Sequence, residues 1–422
     1  MNFTVTRSPG VNVPPSESTP SGTLDLSAID ILPTLQRNYV NVLHVYRHGH
    51  DEAAKVIREA LSKALVLYYP LAGRLEESSH GELQLACTGE GVWFVEASTD
   101  FSLASFDCFD NVPMVPYDDL LPTPPPENYG IDPLMRLQFT RLSCQGFVIG
   151  FTFCHSICDA FGAAQFLNAV GEIARGFEHP RIAPMWHRES IPASARLAHA
   201  LRKPKPPPPI PSYTLEHVSI DISLDQVDKL KNQFFELTGE YCSTFDVVAA
   251  SIWRHRAQTI ALGKENNAVL VFMGDMRRLL DPPLPEGYYG NCFFPVTVTV
   301  SSGWLLEATN ADIVKLIKDA KAKLPNEFSK WLKSDEVDDG NDPFTPPVLY
   351  SKLFISVWTR AGFDQIDYGW GLPVRVLPEQ GPSFIPIVIV QSPPPPKKGI
   401  RLMTWCVKKA HLSSFEETMN LF

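Results

Sequence analysis

Apolar residues recur at every second position through Phe147, Ile149, Phe151 and Phe153, the period of a strand, and His155 continues one face at its end. Beyond Asp159 the period changes. Ala163, Phe166, Leu167, Val170, Ile173 and Ala174 recur at helical spacing, and Gly176 supplies a stop. The pattern predicts a buried strand, a turn holding one imidazole and one carboxylate, and a helix that opens near Asp159.

The same periods recur elsewhere. Between Asp51 and Leu67, the residues Ala54, Ile57, Ala60, Leu61, Ala64 and Leu65 mark an amphipathic helix packing on a sheet. ELQLAC and GVWFVEA read as strands, as do NAVLVFMGDMR, NCFFPVTVTV and IPIVIVQS further on. CSTFDVVAASIWRHRAQTIA reads as a helix capped by Ser243 or Thr244. No repeat of 20 to 50 residues appears, which disfavours a solenoid. Strands and helices mixed in both halves predict an α/β fold of two similar domains, each a mixed sheet with flanking helices.

The boundary is marked by composition. KPKPPPPIPS, from Lys203 to Ser212, forms neither a helix nor a central strand. It is expected to be a semi-rigid crossover (203–212) between domains at 1–202 and 213–422. A length of 422 residues suits two cores, and 44% apolar content supports them. The formal net charge of −10 argues against nucleic acid or an anionic membrane surface as partner. No apolar run reaches membrane-span length and the start of the chain lacks the blocks of a secretory signal, so a cytoplasmic location is expected.

Candidate chemistry concentrates at the strand-to-helix turn. His155 could act as a base, or be only a satisfied core polar group; Asp159 could orient it, or only cap the helix. Arg277, in GDMRRLLDPP, is the cation paired here with Asp159, because a partly buried carboxylate needs charge-assisted hydrogen bonds. Its bland alternative is a solvated arginine. DYGWG (367–371) sets two glycines around Trp370, as a structural turn or as a lever shaping a ligand channel. Lys397, Lys398 and Arg401 follow a proline run, in an exposed loop or at a phosphate. The eight cysteines form no CxxC pair, and Cys154, His155 and Cys158 do not complete a zinc site, so no metal is expected.

Five segments in order, YYPLAGRL, LACTGEGVWFVEA, HSICD, PPLPEGYYGN and TRAGFDQIDYGWG, resemble the plant BAHD family of acyl-CoA-dependent acyltransferases over essentially the whole chain. The family's HxxxDG is matched at His155 and Asp159, with Ala160 where glycine is usual. Its DFGWG is matched with Tyr368 in place of phenylalanine. The resemblance implies a chloramphenicol acetyltransferase-like pair of domains with an active-site channel at their interface. It implies His155 as catalytic base, acyl-CoA as co-substrate, an alcohol or amine acceptor, no bound cofactor and no covalent acyl-enzyme. Asp159, Arg277, Asp367, Gly369 and Gly371 are expected to support the motifs structurally. The DYGWG loop is expected to lie away from the reacting centre as a structural element, with the indole of Trp370 able to approach the channel as the candidate oxyanion donor; Ser243, Thr244, Lys397 and Lys398 are candidates for binding CoA. Leu372 stands where shikimate-using and quinate-using members carry an arginine, so it is assigned to the acceptor pocket and a neutral alcohol is favoured. The chain is most similar to grass members that transfer p-coumaroyl groups to monolignols. Acetyl or benzoyl transfer to another specialised-metabolite alcohol, or a catalytically silent binding protein, are the alternatives. A monomer without a membrane span is expected.

Overall fold

The computed structural model describes residues 4–419 apart from 37, 50, 80, 111, 127–131, 195, 196, 198–209, 335–341, 346 and 379–383. The chain divides into two compact units. The first comprises Met1–Arg202, Leu284–Cys292 and Arg360–Glu379; the second comprises Lys203–Pro283, Phe293–Thr359 and Gln380–Phe422. In the first unit lie β1 (Val5–Arg7), β2 (Val11–Val13), β3 (Thr23–Asp25), β4 (Tyr39–Tyr46), β5 (Arg74–Glu77), β6 (Leu83–Ala86), β7 (Val92–Thr99), β8 (Met135–Arg141) and β9 (Phe147–Cys154). The second holds β10 (Glu216–Ile222), β11 (Asn267–Asp275), β12 (Phe293–Ser301) and β13 (Lys352–Val357). β14 (Arg375–Pro378) returns to the first unit, and β15 (Ile387–Gln391) and β16 (Ile400–Val407) complete the second.

The first sheet runs β1-β7-β8-β9-β4-β14, with β2 also on β7, and β3-β6-β5 forms a small separate sheet. Only β7 and β8 pair in parallel; the other neighbours in the large sheet are antiparallel. β9 is central, and all eight of its residues are buried. Its alternating phenylalanines and isoleucine account for one face. The other is closed by close approach, since a Cβ at Gly150 would lie 2.1 Å from the Leu120 carbonyl oxygen. The helices Ala53–Leu67 and Ala160–Ala174 pack on each other, each burying the apolar stripe that its 3.6-residue period predicts.

The second sheet runs β10-β16-β15-β13-β11-β12, with β13 parallel to both neighbours. Its helix Thr244–Thr259 starts at Ser243, whose hydroxyl accepts from the Asp246 amide while Asp246 accepts from the Ser243 amide. Both units are therefore α/β with mixed sheets.

One expectation about the halves needs correction. DYGWG was assigned to a C-terminal domain spanning 213–422, but it belongs to the first unit. The cause is strand pairing: β14 adds to the edge of β4, from Arg375 opposite Val45 to Pro378 opposite Val42. The segment Leu284–Cys292 also joins the first unit. Most of the proline-rich crossover expected at 203–212 lies outside the described residues.

Candidate active site

His155 follows the last residue of β9, where its amide donates to the Asn38 carbonyl at 2.7 Å. The turn is held on both sides. Ile157 donates back to the Cys154 carbonyl at 3.1 Å, and the Ser156 hydroxyl donates to the Leu35 carbonyl at 2.9 Å. Asp159 is the N-cap of helix Ala160–Ala174: one carboxylate oxygen accepts from the Gly162 amide at 3.1 Å and the other from the Cys292 amide at 3.1 Å. The carboxylate thus ties the helix start to the segment that ends in GYYGNC. Gly162 serves close packing, because a Cβ there would lie 1.9 Å from the Tyr289 carbonyl oxygen. Ala160 is the first helical residue and is absent from the positive-φ positions, so the glycine usual in HxxxDG is not required here.

Three side chains that sequence reasoning did not single out complete the surroundings of His155. Asn291 Oδ1 lies 3.1 Å from His155 Nδ1, while Asn291 Nδ2 donates to Asp30 Oδ1 at 2.7 Å and to the His155 carbonyl at 2.6 Å. Asp30 in turn accepts from Arg188 Nε at 2.9 Å and from the Ser27 amide at 3.1 Å. This order fixes a tautomer. An ionised Asp30 only accepts, so the Asn291 amide nitrogen must face it and Oδ1 must face the imidazole. Nδ1 then carries the proton and Nε2 the lone pair. Burial lowers the His155 pKa below its ordinary value of 6.5, against opposing contributions from Asp159, Asn291 and Asp30 that favour the cation. A half-buried neutral imidazole with a defined basic nitrogen is what general-base catalysis near neutral pH requires.

DYGWG lies at the opposite end of the same strand and helix. Asp367 Oδ1 accepts from the amides of Gly369 at 2.7 Å and Gly371 at 3.0 Å. These glycines have φ of +108° and +90°, which is why the turn needs them. Arg175, the helix C-cap, donates Nη1 to the Asp367 carbonyl at 2.7 Å and lies 3.4 Å from its carboxylate. Tyr46 donates to the Ile366 carbonyl at 3.1 Å, and Trp370 packs edge-on against Phe147 at 6.0 Å between ring centroids. Phe147 opens β9 and His155 follows its end, so about 25 Å of extended chain separate them. An oxyanion donor must sit about 3 Å from the reacting oxygen. The assignment of Trp370 to that role is therefore corrected: the indole is a packing element. Leu372, two residues on and 52% exposed, belongs to the same remote end and is removed from the acceptor pocket.

The family model for the Transferase family matches residues 3–422. The chain belongs to this family, the BAHD acyltransferases. It is 41% identical to Acyl transferase 4 of Oryza sativa subsp. japonica, over 100% of both chains. It is 38% identical to myricetin 3-O-glucosyl 1,2-rhamnoside 6'-O-caffeoyltransferase AT2 of Crocosmia x crocosmiiflora, again over 100% of each. Among solved structures, F. sporotrichioides TRI101 complexed with coenzyme A and T-2 shares the fold at a TM-score of 0.75 and 14% identity, covering 94% of this chain and 97% of that one.

The remaining candidates of this BAHD chain belong to the second unit. Ser243 Oγ donates to Asp246 at 2.7 Å within its capping box, so the hydroxyl already serves the helix; Thr244 is the first residue of that helix. Lys397 pairs with Asp221 at 2.7 Å, and Lys398 is exposed. Arg277 pairs with Asp275 at 3.1 Å. Of the three residues missed, Asp30 had a signal, a lone carboxylate inside the apolar run LSAIDILP, which marks a buried charge in need of partners. Asn291 closes PPLPEGYYGN, one of the five segments that carry the resemblance, although nothing there singled out its amide; Arg188 had no signal.

Proposed function

We propose that the protein transfers a hydroxycinnamoyl group, p-coumaroyl foremost, from CoA to the hydroxyl of a neutral alcohol such as a monolignol. The observation that carries the reaction is the Asp30–Asn291–His155 relay, which leaves Nε2 of a neutral imidazole as base. Nε2 takes the acceptor's hydroxyl proton as the oxygen attacks the thioester carbon. The tetrahedral intermediate collapses by breaking the C–S bond, and the departing CoA thiolate recovers the proton from Nε2. Both substrates are held at once, so orientation contributes much of the acceleration. The acyl class rests on the resemblance to grass hydroxycinnamoyl transferases and on a caffeoyltransferase among the relatives. With Leu372 at the remote end, the neutral acceptor rests on that resemblance alone. The reading retains Arg277 as counter-charge of Asp159, and Lys397 and Lys398 as candidates for the CoA phosphates.

The test is free-thiol release and product mass with p-coumaroyl-, acetyl- and benzoyl-CoA against coniferyl and sinapyl alcohol, comparing the protein with His155→Ala. A p-coumarate ester formed fastest, and lost in the variant, supports the proposal. Faster acetyl or benzoyl transfer replaces the acyl group proposed; equal thiol release from both proteins ends the mechanism.

A further inference from the structure

Arg188 lies outside every motif, yet its side chain is only 1% exposed and its guanidinium lies among three aromatic rings. Besides Asp30, it donates Nη2 to the Ile157 carbonyl at 2.6 Å, inside the catalytic turn, and Nη1 to the Trp186 carbonyl at 2.8 Å. Its Cζ sits 4.0 Å from the Trp186 ring centroid and 5.1 and 5.0 Å from those of Tyr288 and Tyr289. The space exists because residue 290 is glycine, where a Cβ would lie 2.4 Å from Cζ. The cation is held in one place, one carboxylate and one amide away from His155.

We propose that Arg188 is a positioning residue that keeps His155 neutral, by balancing the charge of Asp30 beside the Asn291–His155 hydrogen bond. This rests on the reading of His155 as the base. An isolated Asp30 anion would favour the imidazolium, and the buried Arg188 cation cancels that field at short range. The other titratable groups around the pair and the imidazole are Asp159, the thiols of Cys154 and Cys158, and the phenols of Tyr288 and Tyr289. Asp159 is the remaining carboxylate of this set; it is bound to the amides of Gly162 and Cys292, and the proposed function gives it Arg277 as counter-charge. The pair Arg188–Asp30 is therefore the adjustable charge.

The test is a pH titration of the His155 imidazole by NMR in the full-length protein, its signal assigned by its loss in His155→Ala. Arg188→Gln is expected to raise the midpoint by about one pH unit, Asp30→Asn to lower it by about as much, and the double variant to return it towards the parent. Arg188→Lys, which keeps the charge, should hold the parent midpoint while kcat falls through loss of the forked contact to Ile157. Opposite shifts from the two single variants are the signature; a purely structural role lowers Tm without them. Unmoved midpoints, or shifts of one sign in both, overturn the proposal. If Arg188→Gln does not fold alone, Asp30→Asn against the double variant decides: a midpoint lower in the single variant than in the double one reads the Arg188 charge, and equal midpoints overturn the proposal. The titration needs no substrate, so it stands apart from the acyl-transfer assay: absence of thiol release in the parent protein would reject the function and leave this result intact.

Discussion

The two ends of β9 and of helix Ala160–Ala174 carry the two motifs by which the family is recognised, and they are built for opposite purposes. At the His155 end, side chains from four separate stretches, around Asp30, His155, Arg188 and Asn291, converge to fix one proton on one nitrogen. At the DYGWG end, the Asp367 carboxylate binds two amides of its own turn and pairs with Arg175, whose guanidinium also donates to the Asp367 carbonyl from the helix terminus. The first arrangement spends its hydrogen bonds on the state of a reactive group. The second spends them on holding a loop to a helix and strand. Motif status therefore says nothing about proximity to the chemistry, because one rigid scaffold about 25 Å long separates the two.

Paired substitutions test this division most severely. His155→Ala is expected to lower kcat/KM by about 10³-fold with little change in Tm, whereas Trp370→Ala should keep kcat/KM within about threefold and lower Tm. A Trp370 variant that folds as well as the parent and yet loses turnover would restore the indole to the reacting centre. Next in size, Asn291→Ala should cost about 100-fold in kcat, since the imidazole loses the partner that selects its tautomer, with KM for acyl-CoA nearly unchanged. Steady-state kinetics at saturating donor reads both constants.

At the other end, Asp367→Ala should cost about 1–3 kcal/mol of stability through loss of two amide hydrogen bonds and a partly exposed ion pair, measured by urea denaturation. Turnover of the surviving folded protein should stay near that of the parent.

Acid separates the ends in another way. Burial lowers the His155 pKa, so with His155 as the proposed base kcat/KM should be flat above pH 6.5 and fall only as pH drops through a midpoint below that value. His44, buried in β4 with its ring 5.4 Å from Phe363, has its pKa lowered by burial to about 3. Its folded pKa lies below its unfolded value of about 6.5, so the folded state holds it neutral. Its stability contribution is complete above pH 6.5 and is lost progressively as pH falls towards 3. Stability at pH 7, 5 and 4, compared with His44→Phe, should show a smaller acid loss in the variant. The smallest effect expected is from Ala160→Gly: under about 1 kcal/mol and no change in kcat, because position 160 has ordinary helical backbone.

Much of this was legible from pattern. The strand through Phe153, the helix after Asp159, the Ser243 cap and the strands β6, β7, β11, β12 and β15 follow from periods and caps that act over a few residues. His155 stood out because an imidazole ended a strong strand. Asn291 lay in a recognised segment, PPLPEGYYGN, and Arg188 in none, but neither side chain acquires meaning except beside Asp30. Trp370 and Leu372 were misplaced for a related reason. Resemblance put the DYGWG loop away from the reacting centre, and the register of β14 on β4 shows that Trp370 and Leu372 stay at that far end with it.

The sequence by itself determined the mixed α/β class and the family, and it singled out His155 as the candidate base, because these depend on side-chain period, local capping and colinear motifs. Tertiary structure decided what faces His155. It brought Asp30, Arg188 and Asn291 to one point across separations of 158 and 261 residues, and it sent DYGWG to the far end of the strand. Hydrogen-bond geometry and charge compensation operate over about 3 Å in space, and nothing in the linear order of the chain encodes that distance.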